Sequence, residues 1–267
     1  FGWVLPHFVL IGFLAFLLAV AYESYPGVWG LLGITAPILM TRLTMKQYID
    51  RTEATVAELR SEHASVTALS AELQEAYRET LVAFTSALDH RDTETKGHSS
   101  RVAGLSLAIG ERLGIRRASQ EWAYLKDGAL LHDIGKIAVP DAILRKASSL
   151  TPDEWQIIRL HPGHGYEMLR NVRLLRGAAE LVLAHHERFD GKGYPRGLAG
   201  DEIPLGARIF AVADAFDAIT SVRPYKPGRS AEEALAEIER SAGSQFDPRV
   251  VEALSAIAAA SGLPKAA

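Results

Sequence analysis

Nine histidines, thirty-two acidic side chains and no cysteine set the chemistry open to this 267-residue chain. Without thiols there is no disulfide framework, no thiolate metal site and no cysteine nucleophile, so any metal must be held by imidazole and carboxylate. His132 and Asp133 stand together in LLHDIGK, where an apolar run ends in two coordinating side chains. Neighbours on a helix lie about 100° apart, so both could grip one metal cluster from its edge. A helix cap or a hydrogen-bonded core pair would look the same. Glu94 and His98 lie four apart in TETKGHSSRV and share a face if Thr93 or Thr95 opens the helix; otherwise they are a solvated surface pair. His185 and His186 form a doublet followed by Glu187 and the turn-rich FDGKGYP. Two buried imidazoles without a task would each need a hydrogen-bond partner, which favours a metal. Asp214 and Asp217 sit inside the apolar FAVADAFDAIT, where a buried carboxylate demands a cation or a salt bridge to Arg or Lys. His161 belongs to HPGHG, which by itself reads as a turn. Together these groups exceed what one ion can use, which implies two or three divalent metals. Imidazole and carboxylate suit Fe, Mn, Zn or Ni.

The elements that must position these groups are helical. After about Arg91, helix-period segments broken by Gly and Pro cover Ser99 to Leu113, Glu121 to Leu131, Pro152 to Leu160, Leu174 to His185, Leu205 to Ser221, Ala231 to Ser241 and Pro248 to Ala260. No run alternates as a strand would, so the expected class is all-α, in a domain over 89–267 long enough to bury its own core. Residues 44–88 lack Gly and Pro and read as one helix. Ile49, Val56, His63, Ser70, Tyr77 and Phe84 at one heptad position, with Thr52, Leu59, Val66, Leu73, Thr80 and Ala87 at the other, make a partly apolar seam, and a homodimeric coiled-coil linker is expected. Upstream, residues 3–22 carry no acid, Lys or Arg over the length of a membrane span, and residues 25–41 form a second, Gly- and Pro-interrupted run. Arg42, Lys46 and Arg51 follow the second run, so the positive-inside rule puts everything after Met40 in the cytoplasm and residues 1–43 in a membrane segment. The chain starts at Phe1, and a longer parent protein is expected. A net charge of −3 argues against a nucleic-acid polymer as partner.

The motifs ETKGHSSRV, LLHDIGK, HPGHG, HHERFDGKGYP, ADAFDA and RPYK, in this order, resemble the HD-GYP domain of bacterial cyclic di-GMP phosphodiesterases over about Leu88 to Pro248. The resemblance implies a helical HD-type phosphohydrolase. It implies metal ligands at His132, Asp133, His161, His185, His186 and Asp214, with Glu94 and His98 completing a third site in some members. It further implies cyclic di-GMP as substrate, linearised to pGpG with GMP as an open further product, and Fe or Mn ahead of Zn or Ni. Two metals lower the pKa of a shared water and hold both attacking and leaving oxygens, as phosphodiester hydrolysis requires. Lys136, one turn beyond the His132–Asp133 pair, is placed for a phosphate oxygen or the leaving group, Arg223 and Lys226 in RPYK for a phosphate clamp, and Tyr194 for stacking on guanine or meeting a phosphate. Another cyclic dinucleotide as substrate, or a weakly catalytic receptor acting through protein contacts, are the alternatives. The expected setting is a bacterial inner membrane with the catalytic domain in the cytoplasm.

Overall fold

The computed structural model describes residues 4–23, 26–89, 91, 97–146, 148–222 and 228–261. These divide into two compact units, Phe1–Glu75 and Ala76–Ala267, with the division falling inside one helix. The first unit holds α1 (Val4–Tyr22) and most of α2 (Pro26–Asp89). Helix α2 runs unbroken through Pro37, so the expected second span over 25–41 and the expected linker over 44–88 are one element rather than two. Thr41 Oγ1 donates to the Pro37 carbonyl at 2.8 Å and Thr44 Oγ1 to the Met40 carbonyl at 2.9 Å, side-chain bonds back onto the preceding turn of the same helix. Among the described residues no helix is long and apolar enough to cross a membrane. The expected spans over 3–22 and 25–41 fall partly on residues outside that description.

Among its described residues the second unit is built of helices joined by loops, with two isolated β-bridges and no strand. It contains the end of α2, α3 (His98–Arg112), α4 (Gln120–Leu131), a 3-10 turn (Ile134–Ala138), α5 (Asp141–Leu144), α6 (Pro152–Ile158), α7 (His161–Leu169), α8 (Arg176–Ala184), a second 3-10 turn (Gly200–Glu202), α9 (Leu205–Thr220), α10 (Ala231–Arg240) and α11 (Pro248–Ser261). The starts follow from local chemistry. Ser119 caps α4 by accepting from Trp122 N, and Thr151 with Glu154, then Ser230 with Glu233, close reciprocal capping boxes on α6 and α10. HPGHG, which reads as a turn in the sequence, opens α7 instead, because Pro162 falls in its first turn where the missing N–H is no loss. Helix α3 opens at His98, just after Gly97 with its left-handed φ of 80°, and the expected pairing of Glu94 with His98 falls outside the described residues.

Helix α4 packs between α3 and α8, α9 against α3, and α7 against α8 and the first 3-10 turn. Val102, Ile109, Leu125, Val182, Ile209, Phe210, Ile238 and Leu254 are fully enclosed between these helices, each contributing roughly 1.5–3 kcal/mol of burial free energy. One buried carboxylate ties the last helix to this core. Asp247 accepts from Arg208 Nη1 at 2.7 Å and from Arg249 N and Nη2 at 2.9 Å. Burial alone would raise its pKa, but the hydrogen bonds from Arg249 and Arg208 outweigh that and hold it below the ordinary 3.8. Its contribution is therefore present above pH 3.8 and lost as the pH falls through the lower folded value. Asp247→Ala is expected to lower stability at neutral pH by about 2 kcal/mol, since it removes the buried partner of the Arg208 guanidinium and leaves it the exposed Asp201. Urea titrations of both proteins should show the gap closing on acidification.

Candidate metal centre

The potential ligands come from helix ends that the core holds side by side. His98 starts α3, His132 follows α4, His161 starts α7, and His185 with His186 follows α8. Asp214 comes from the middle of α9, and Asp133 from the residue before the first 3-10 turn. Three rings are fixed in the same way. Nδ1 of His132 bonds the Ala129 carbonyl at 3.0 Å, Nδ1 of His161 the Ile158 carbonyl at 2.7 Å, and Nδ1 of His185 the Val182 carbonyl at 2.6 Å. These carbonyls belong to the last turns of α4, α6 and α8, where the helix supplies no partner of its own. A carbonyl only accepts, so each Nδ1 carries the proton and each Nε2 of a neutral ring presents a lone pair.

Those lone pairs converge. His161 Nε2 and His185 Nε2 are 3.1 Å apart, and one nitrogen from each of His161, His185 and His186 lies within 4.8 Å of the others. Two lone pairs at 3.1 Å repel unless a cation takes the space between them, so these residues fit a divalent metal. Burial, then the charges of His186, His132 and His161, push the His185 pKa well down, and burial with the His161 charge takes His186 down to about 4. Both are neutral at pH 7, the protonation state a metal needs.

Asp133 extends the cluster. Its Oδ2 lies 3.0 Å from His132 Nε2 and 2.7 Å from Lys136 Nζ, and its Oδ1 3.2 Å from His161 Nε2. Burial would raise its pKa, but the charge of His132 when that ring is protonated and the charge of Lys136 outweigh this and hold it well below the carboxylate range. The doublet sits at the junction of α4 and the 3-10 turn rather than within one helix, and that bend lets both side chains face inward. Lys136 is enclosed beside Asp133, unlike a lysine that merely solvates a helix end. The Phe210 ring, 4.7 Å from that of His132 and 5.7 Å from that of His185, forms an apolar wall.

On the far side, the His98 and His132 rings lie 5.6 Å apart, and His98 bridges two carboxylates: Nε2 to Asp214 Oδ1 at 3.2 Å and Nδ1 to Asp217 Oδ2 at 2.8 Å. The two acids of ADAFDA thus separate in role. Asp214 faces the cluster; burial would raise its pKa, but the His98 bond and the His132 and His98 charges outweigh that and lower it. Asp217 is the salt-bridged acid, bound by Arg101 Nε at 2.6 Å and Nη2 at 2.9 Å, and it orients His98. Burial opposes ionisation of Asp217 as well, but His98 and Arg101 bring it down to about 2.

Tyr194 stacks on His186 at 4.7 Å, with the Arg159 guanidinium 5.3 Å over its ring. Burial pushes its phenol up to about 12, so it stays protonated as a donor. The loop that carries it hangs on Glu187, which neither the histidine doublet nor the turn pattern singles out. This buried carboxylate accepts Arg196 N at 2.7 Å and Leu198 N at 3.1 Å. Glu187→Ala is expected to cost about 2 kcal/mol by leaving both amides unpaired, and to speed amide exchange at 196 and 198; Glu187→Gln should fall between. Thus His98, His132, Asp133, Lys136, His161, His185, His186, Tyr194 and Asp214 come together, while Glu94, Arg223 and Lys226 lie outside the described residues.

Residues 83–250 match the family model described as HD domain. Among curated relatives, the cyclic di-GMP phosphodiesterase response regulator RpfG of Xanthomonas campestris is 44% identical over 185 residues, covering 68% of this chain and 48% of that protein. A cyclic di-GMP phosphodiesterase of Thermotoga maritima is 47% identical over 167 residues, 62% of this chain and 45% of the relative. A 3'3'-cGAMP-specific phosphodiesterase of Vibrio cholerae is 40% identical over 183 residues, 68% and 39% respectively. The chain therefore spans about half the length of these relatives, or less. A crystal structure of a cyclic GMP-AMP specific phosphodiesterase of V. cholerae shares the fold, with a TM-score of 0.56 and 23% identity, over 69% of this chain and 49% of that one.

Proposed function

The chain belongs to the HD domain family, and from that premise we propose that it is a metal-dependent phosphodiesterase hydrolysing cyclic di-GMP to pGpG. The observation that carries this reading is the pair of facing Nε2 atoms of His161 and His185, with Asp133 reaching both His132 and His161. The names of relatives 44% and 47% identical support the substrate. His132, Asp133, His161, His185, His186 and Asp214 would hold two divalent metals, Fe or Mn ahead of Zn or Ni, with His98 and Glu94 toward a third. Metals held there would supply an activated water and charge neutralisation at a phosphodiester.

The chain's own groups do the rest. Lys136 Nζ, fixed by Asp133, meets a phosphate oxygen or the departing oxygen. Arg223 and Lys226 bind the two phosphates, the first as a fork and the second as a point charge. Tyr194, neutral and held against His186 with Arg159 over its ring, offers its hydroxyl to a phosphate. Phe210 closes the inner side of the cluster against water.

A second substrate is favoured by one finding, the relative named as 3'3'-cGAMP-specific at 40% identity. A panel of cyclic di-GMP, 3'3'-cGAMP and cyclic di-AMP, with products separated by chromatography, distinguishes them. Cyclic di-GMP is expected to show the highest kcat/KM, and a higher value for 3'3'-cGAMP would reassign the substrate.

The proposed layout is a membrane segment over 1–43, a linker over 44–88 and the catalytic domain over 89–267, in a bacterial inner membrane with catalysis on the cytoplasmic side. Val9, Phe13, Phe16 and Val20 of α1 are exposed, which suits burial in lipid. Val56, Leu59, Val66 and Leu73 of α2 are also exposed and fall on the heptad seam, which suits a homodimeric coiled coil.

A further inference from the structure

Arg91 lies just past α2, its backbone N–H bonded to the Leu88 carbonyl at 2.8 Å. Its guanidinium is committed to a single short stretch. Nε donates to Asp141 Oδ1 at 2.8 Å, Nη1 to the Ile137 carbonyl at 2.7 Å and the Lys136 carbonyl at 3.5 Å, and Nη2 to the Val139 carbonyl at 2.8 Å. We propose that Arg91 is a positioning residue that clamps the 3-10 turn after Asp133 and thereby sets the Asp133–Lys136 pair. The catalytic part of this proposal rests on the phosphodiesterase reading.

The turn needs such a clamp. It is only five residues long, and a helical end leaves its last carbonyls short of backbone donors. A cation at a helical C-terminus satisfies them and complements the local dipole, and here that cation comes from a residue 45–48 positions upstream. The link to chemistry is short. Lys136 N donates to the Asp133 carbonyl at 2.8 Å and Val139 N to the Lys136 carbonyl at 3.0 Å, so the clamped carbonyls and the Asp133–Lys136 side-chain pair share one turn of backbone. Rotating that turn would carry Lys136 Nζ off the carboxylate and turn Asp133 from His132 and His161.

Global stability is not what this contact serves. Arg91 is 30% and Asp141 65% exposed at the side chain, and an ion pair so open to water contributes little. The planar fork matters instead, because it spans two carbonyls at once, and a lysine at 91 cannot.

The test uses Arg91→Ala and Arg91→Lys in the full chain, with hydrogen exchange, metal content, thermal midpoint and kinetics on cyclic di-GMP. In both variants, exchange at 134–139 is expected to quicken by about tenfold or more while the rest of the helical unit is unchanged. The kcat should fall by about 10–100-fold with KM changed less than about twofold, and millimolar guanidinium should restore part of the Arg91→Ala loss. Unchanged exchange over 134–139 would overturn the proposal whatever the turnover. Faster exchange throughout the unit, with a matching fall in thermal midpoint, would also overturn it by making Arg91 a general structural contact. Absence of turnover in the parent chain would instead remove the phosphodiesterase reading, and the exchange data would still decide whether Arg91 holds the turn.

Discussion

Asp133→Asn is expected to lower kcat for cyclic di-GMP by at least about 10³-fold, a barrier increase of about 4 kcal/mol, with the helical fold retained. The two oxygens of Asp133 reach His132 Nε2, His161 Nε2 and Lys136 Nζ, all at 2.7–3.2 Å, so the one charge sits between two imidazoles, anchors the lysine and would serve as ligand under the proposed function. The amide keeps the shape and loses the charge. Alanine would remove both and leave an enclosed ammonium without its carboxylate, which costs stability as well, so the asparagine variant isolates the chemistry. Steady-state kinetics, circular dichroism and metal content on the same preparation check this, and near-parental turnover with an unchanged fold would refute the role.

Gly135→Ala is expected to lower kcat by about 10²-fold or more and to destabilise the protein by about 3 kcal/mol. A methyl group at this position would lie 1.9 Å from the His161 carbonyl oxygen and 2.5 Å from Gly165 N. Both contacts are with backbone, which has no rotamer to change, so the start of α7 must move away from the 3-10 turn. His161 moves with it and leaves Asp133 and His185, to which its Nε2 is held at 3.2 and 3.1 Å. Urea unfolding and kinetics together test the idea; parental values in both would show that the close approach is not needed.

The sequence reveals the helices wherever caps and hydrophobic period agree, as at Ser119, Thr151 and Ser230. It also singles out the histidines that the fold brings together, because doublets beside acids in an apolar context stand out from scattered surface histidines. Contacts made across long separations are less visible. Nothing near His98 announces Asp217, 119 residues away, and nothing near the His132–Asp133 doublet announces Arg91, since each contact depends on packing that brings distant helix ends together. HPGHG misleads for a different reason: proline and glycine signal a turn locally, yet proline is equally at home in the first turn of a helix, and Gly165 accommodates the close approach to the 3-10 turn. Glu187 is hidden because its partners are backbone amides, which leave no trace in residue types.

The most direct test of a metal-dependent phosphodiesterase is turnover of cyclic di-GMP by the full chain purified without chelator, with metal content measured on the same sample, before and after chelation and Mn or Fe replacement. Release of pGpG with two or more divalent metals per chain, lost on chelation and regained on replacement, is the expected result. A chain that binds no metal and releases no product, or that turns over unchanged after complete metal removal, would contradict the account.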